Sequence, residues 1–163
     1  IGKTLVLLIA PINTIVISYL TKRKERLTRL QYGKAALAGG IVSFVFFLAC
    51  QVGTPLFVWL FYRNLYDSVK GIVTVVNLAQ ILGLYSAFLF ILVLTFTDER
   101  WQLGIQLAHF GILLAVSIPA AKIYGLEGFA YASLGANILR VAAVIILGLV
   151  KAQNGKESKD EYR

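Results

Sequence analysis

Apolar residues run along this chain in five long stretches, roughly 4–21, 35–61, 72–97, 102–122 and 128–150, separated by short polar or charged segments. About 20 consecutive apolar residues cross the hydrocarbon core of a bilayer, so each stretch predicts a transmembrane helix. Lipid offers an open backbone no hydrogen-bond partners, and the stretches are too long and too evenly apolar for alternating barrel strands. The expected architecture is an all-α membrane protein: a bundle of five transmembrane helices over residues 1–150, with a charged tail at 151–163. The second and third stretches have spare length, which predicts tilting or unequal ends.

Polar positions inside the stretches give each expected helix a direction to face. In the first, Thr4, Thr14 and Ser18 share a narrow arc near Pro11. In the second, Gly53-Thr54-Pro55 predicts a kink, because proline removes a backbone donor and crowds the preceding turn. Trp59, Tyr62 and Tyr66 then mark one membrane interface, and Tyr19, Tyr32 and Trp101 the other. Residues 63–70 form a short polar loop. The third helix carries Thr74, Asn77 and Gln80 along one side. The fourth follows Asp98-Glu99-Arg100-Trp101, two acids suited to a helix N-terminus, and bears a stripe of Gln102, Gln106, His109 and Ser117. Gly125 and Gly128 suit a helix stop and a close restart. The fifth sets Gly128, Ala132 and Ala136 at every fourth position, a pattern that permits close helix contact, with Ser133, Asn137 and Arg140 on an adjoining face.

Composition restricts the chain further. With 163 residues, 58% of them hydrophobic, a mean hydropathy of +0.77 and eight acidic side chains, there is no room for a separate soluble domain. The chain opens Ile1-Gly2-Lys3 and contains no Met, and we read it as a portion of a longer protein whose N-terminal part is missing. Its single cysteine, Cys50, lies within the second stretch and has no intrachain partner. The net charge of +8 is distributed unevenly. Eleven basic residues fall in the 22–34 segment, the 98–101 turn and the tail, against four on the opposite side. By the positive-inside rule the first group, and the C-terminus with it, is cytoplasmic. Lys22, Arg23, Lys24, Arg26 and Arg29 are expected to contact anionic membrane lipids rather than nucleic acid.

Arg140 is the most informative polar residue. A guanidinium near mid-membrane costs at least about 2.5–3.5 kcal/mol, so it should face the bundle interior or a water-filled cavity, where it would anchor an anionic substrate. The competing reading is a pairing with polar groups of another helix, or snorkelling toward the cytoplasmic surface roughly 15 Å away at the helical rise. Asn137 stands beside it. His109 with Gln106 suits either a proton-relay or substrate role or hydrogen-bonded packing; Asn77 and Gln80 suit interhelical contact or ligand binding. The sequence has no His/Cys/Asp/Glu set at metal spacing, no glycine-rich phosphate loop and no Ser/His/Asp arrangement, so neither catalysis nor a cofactor is expected.

The order of elements carries a family likeness. A proline-bearing helix (LVLLIAPINTIVISYL), a basic loop (KRKERLTRL), a long helix ending in PLFVWLFYRNLYDSV and a closing KIYGLEGFAYASLGANILRVAAVIILGL together resemble the C-terminal part of polysaccharide flippases. These are the O-antigen and capsule exporters of the multidrug/oligosaccharidyl-lipid/polysaccharide exporter superfamily. The most specific segment, YGLEGFAYAS, is similar to the family's turn of the form Tyr-Gly-x-x-Gly-x-Ala-x-Ala. The resemblance implies part of the C-terminal lobe of a twelve-helix transporter, completed by an N-terminal lobe. It implies export of an undecaprenyl-diphosphate-linked oligosaccharide across the bacterial inner membrane by alternating access. Arg140 would then belong to a cationic cavity that receives the anionic head group. The alternative is a non-transporting membrane scaffold or complex subunit whose polar stripes only pack.

Overall fold

The computed structural model describes residues 28–94 and 96–152; the 4–21 stretch, the basic residues Lys22 to Arg26 and most of the charged tail lie outside these. The described residues are helical throughout apart from short connections. They form α1 (Arg29–Phe61), α2 (Arg63–Leu94) and α3 (Glu99–Lys151). All three are long and apolar enough to cross a membrane.

The expectation of five separate helices is therefore corrected to three among the described residues. Stretches 102–122 and 128–150 are two helical limbs of α3, joined across a kink at a single non-helical residue, Gly125 at φ 62° and ψ −139°. A straight helix would hold Trp101 and Lys151 about 75 Å apart. Instead the Lys151 ammonium lies 5.2 Å from the centre of the Trp101 ring. The helix folds back on itself at Gly125, which adopts a backbone conformation open to glycine because it has no Cβ.

Two expected loops are also helical. The basic 22–34 stretch is helix from Arg29, because Thr28 and Gln31 make a reciprocal capping box that starts α1. The 63–70 stretch is the opening of α2, separated from α1 by Tyr62 alone, whose N–H still bonds to the Val58 carbonyl. Lys70 reaches back one turn to Asp67 at 2.8 Å, an exposed pair of small energetic consequence. α1 runs unbroken through Pro55 to Phe61.

Contacts between helices fix an up-down-up-down order. α1 and α2 are antiparallel, with Tyr85 donating to the Ala36 carbonyl at one end and Gln51 to Thr74 nearer the other. The second limb of α3 runs parallel to α2, with Asn137 against Gly83 and Arg140 over Phe90. Both reversals, at Tyr62 and Gly125, thus lie at one end of the bundle; Thr28, residues 96–98 and Ala152 lie at the other. α2 is the central rod. Half of its apolar window is buried, against 11% for α1, whose outer surface exposes Leu37, Ile41, Phe44 and Val45.

The densest packing gathers at the Thr28 end, where Tyr32, Leu89, Val93 and Val144 are fully buried. Tyr32 departs from its expected place in an interfacial belt. Its hydroxyl donates to the Val144 carbonyl at 3.2 Å, its ring meets Phe96 edge-on at 5.9 Å, and it covers Gly148 so closely that a Cβ there would overlap the ring. The absence of a side chain at Gly148 makes this seat. Trp59, Tyr62 and Trp101 remain exposed.

Candidate functional site

The hairpin in α3 brings together residues that the sequence separates. Gly128, Ala132 and Ala136 form a buried face, and a Cβ on Gly128 would overlap the Ala120 carbonyl of the facing limb. Small residues let the limbs approach closely, and the register that follows brings His109 of the first limb within hydrogen-bonding reach of Asn137 and electrostatic reach of Arg140 on the second. Arg140 lies 15 residues beyond Gly125 and 11 before Lys151, which places it near the middle of its limb.

The Arg140 side chain is half-buried between two walls. On one side its guanidinium stacks over the Phe90 ring of α2 at 5.2 Å, a cation–π contact that offsets part of the cost of burial. On the other lies the first limb of α3, with His109 within electrostatic reach. The Arg140 Nε is buried without a hydrogen-bond acceptor, and so is the Nε2 of His109. Asn137 directs its amide to the Ser133 carbonyl one turn earlier, at 3.1 Å, and keeps its oxygen 3.5 Å from the point where a Gly83 Cβ would stand. Gln102 closes the Thr28 side of the group by donating to the Phe90 carbonyl at 3.1 Å. The cluster thus holds unmade hydrogen bonds beside a fixed positive charge, and an anion with oxygen acceptors would supply what the buried Arg140 Nε lacks.

A second polar group stands between α1 and α2, toward the Tyr62 end. Buried Asn77 donates to the Cys50 carbonyl and to Gln51 Oε1, both at 3.1 Å, and accepts from Thr54 at 3.2 Å; Gln51 in turn donates to Thr74 at 2.8 Å. Its members satisfy one another, so it acts as a clasp between helices. Of the two readings of Asn77, the interhelical one describes this geometry.

Gln80 and Gln106 are exposed, outside both groups. The stripe read on the fourth stretch accordingly divides: Gln102 and His109 turn inward, Ser117 is buried with an unpartnered hydroxyl, and Gln106 faces out. An open groove of about 480 Å³ lies between the α3 limbs near their reversal, lined by Val116, Ala120, Tyr124, Glu127, Tyr131 and neighbouring small residues; none of the expected site residues borders it. Among the described residues no three His, Cys, Asp or Glu side chains come together as a metal site.

Sequence reasoning missed Phe90, Gly83, Gln51 and Thr54. Gln51 carried a readable signal, as an amide inside an apolar run. Phe90 carried none, since its role depends on which helix crosses it. Comparison of the chain with protein-family models, with curated proteins and with solved structures gives no match.

Proposed function

We propose that this chain is the C-terminal portion of a flippase that moves an undecaprenyl-diphosphate-linked oligosaccharide across the bacterial inner membrane by alternating access. The observation that carries the reading is Arg140: a guanidinium midway along a membrane-length limb, turned inward, with no ion pair among the described residues and its Nε unsatisfied. Such a group is costly unless it has a role, and the fork of guanidinium donors matches the oxygens of a diphosphate. The resemblance of the YGLEGFAYAS segment to the exporters' turn supplies the substrate class. Asn137 and His109 extend the polar surface beside Arg140, and the lipid-linked glycan enters from the end that carries most of the basic residues.

The test is surface polysaccharide in cells that depend on the complete protein. Arg140→Lys keeps the charge but loses the fork and retains part of the export; Arg140→Ala retains very little. Membrane insertion of both variants is measured alongside. Full export by a normally inserted Arg140→Ala would make the residue structural and remove the basis for the reading. The scaffold alternative draws on the α1–α2 clasp, which is complete without any ligand.

A further inference from the structure

We infer that the end of the bundle where α3 begins and ends is a seat for a zwitterionic phospholipid headgroup that carries a phosphate and a primary ammonium, with Lys151 taking the phosphate and Asp98 the ammonium. The inference needs only the membrane-length helices and stands apart from the reading of Arg140.

A cavity of about 250 Å³ carries it, lined by Phe96, Thr97, Asp98, Trp101 and Lys151. The hairpin in α3 builds this cavity by bringing the last residue of the helix back to its first turn, where the Lys151 ammonium lies 5.2 Å from the centre of the Trp101 ring. The walls are held from behind. The Phe96 ring meets Tyr32 of the buried core edge-on at 5.9 Å, and the Thr97 hydroxyl donates to the Val93 carbonyl at 2.7 Å. The Trp101 N–H bonds to the Asp98 carbonyl at 3.1 Å, which ties the ring to the acid. A water's share of liquid volume is about 30 Å³, so the cavity has room for roughly eight such units, the size of a phosphoethanolamine group.

The lining sets the chemistry of the occupant. A cation and an anion border the same cavity, and no ion pair joins them among the described residues; Lys151 is directed over the indole face instead. Opposite charges held apart across one cavity match a ligand that carries both, each end meeting its complement through charge-assisted hydrogen bonds. A purely anionic headgroup would meet the Asp98 carboxylate. A choline headgroup would bring a cation with no N–H to donate, whereas a primary ammonium has donors to spare for a carboxylate. The Thr97 hydroxyl, its proton committed to Val93, keeps lone pairs for the same ammonium. Position favours a lipid over a soluble phosphoethanolamine. The cavity lies at one end of three membrane-length helices, beside Trp101, which is 50% exposed and whose amphipathic indole suits the headgroup level.

The test is native mass spectrometry of the full chain released from detergent micelles, which resolves bound lipids by mass and yields a dissociation constant for each. Phosphatidylethanolamine, phosphatidylcholine and phosphatidylglycerol with identical acyl chains are the probes. Phosphatidylethanolamine should bind at least about threefold more tightly than either of the others, the scale set by one partly exposed ion pair. Asp98→Asn preserves the shape of the cavity and should erase the advantage over phosphatidylcholine. Lys151→Gln should weaken phosphatidylethanolamine by at least about threefold, while Lys151→Arg should retain it. Circular dichroism confirms that each variant keeps its helix content. Tightest binding of phosphatidylglycerol would make this end a contact for anionic lipid and overturn the match to a zwitterion. Equal binding of the three lipids, an advantage that survives Asp98→Asn, or binding indifferent to Lys151→Gln would each overturn the seat. Displacement of phosphatidylethanolamine by equimolar glycerophosphoethanolamine would assign the cavity to a soluble ligand and overturn the lipid.

Discussion

Adding one methyl group at Gly128 should separate the two limbs of α3, although the same change seven residues later should not. At Gly135 an added Cβ meets nothing within 4 Å, so Gly135→Ala gains the ordinary helix-interior benefit of about 0.5–1 kcal/mol. At Gly128 the new Cβ would overlap the Ala120 carbonyl, a backbone atom held in its own helix that cannot swing aside as a side chain would. Relief requires the limbs to part, and overpacking of this kind costs about 1–3 kcal/mol. The helix benefit is common to both, so the two variants should differ by about 1–3 kcal/mol, the overpacking cost alone. Unfolding in mixed micelles with rising SDS fraction measures the difference. In a Trp59→Phe background the fluorescence of Trp101, which lies against Lys151, reports closure of the limbs. Gly125→Ala provides a second reference: it forces a side chain onto a backbone at φ 62° and should cost about 1–3 kcal/mol without any clash. If Gly128→Ala is as stable as Gly135→Ala, the limbs do not meet along this face and the opposition of His109 to Arg140 loses its support.

Two further outcomes test the other half of the bundle and its orientation. Asn77→Leu removes three hydrogen bonds and leaves the Gln51 Oε1 and the Thr54 hydroxyl without Asn77, so α1–α2 association in bicelles should weaken by about 1–2 kcal/mol, and an unchanged stability would show that the clasp is not formed. In a Cys50→Ala background, Asn64→Cys should react with an impermeant thiol reagent added outside the cell while Asp98→Cys resists it, as eleven basic residues against four require; labelling of Asp98→Cys from outside would invert the orientation.

The parts of this fold that follow from periodicity and length were legible in the sequence, and the parts that depend on which helix crosses which were not. Apolar length alone predicts spans at 35–61 and 72–97, and α1 and α2 cover these stretches, apart from the last residues of the second, while extending beyond their polar starts. The underestimated starts share a cause. Charged residues at 29–34 and 63–70 look like loop, yet Thr28 with Gln31 caps one helix and Asp67 with Lys70 decorates the first turns of the other. Helix ends in membrane proteins extend into water, where charged residues are compatible with helix. Glycine was informative here: Gly125 suits a helix stop with a close restart, and the two limbs of α3 meet at that residue with no loop between them. In the candidate site, the inward direction of Arg140 and the small-residue face were readable because both follow from the cost of exposing charge to lipid and the 3.6-residue repeat. Tyr32 was misplaced because its burial depends on Gly148, 116 positions away in sequence, and no local pattern announces a cavity made by an absent side chain.

The YGLEGFAYAS segment acquires from the structure a role that its sequence alone does not state. A hairpin pivoting at Gly125 sets residues at distances from the pivot that agree to within about two positions near one another: Ala120, 5 before, meets Gly128, 3 after, and Trp101, 24 before, meets Lys151, 26 after. His109 and Arg140 stand 16 before and 15 after, so their encounter is a consequence of where the chain turns. The small residues that follow the turn keep the limbs close enough for the encounter to matter. A shift of one residue in either limb would rotate everything beyond it by about 100° and carry one member of the pair away from the other. The turn and the polar pair are thus coupled: the glycines fix the register, and the register brings an imidazole and a guanidinium into electrostatic reach in the middle of an apolar hairpin.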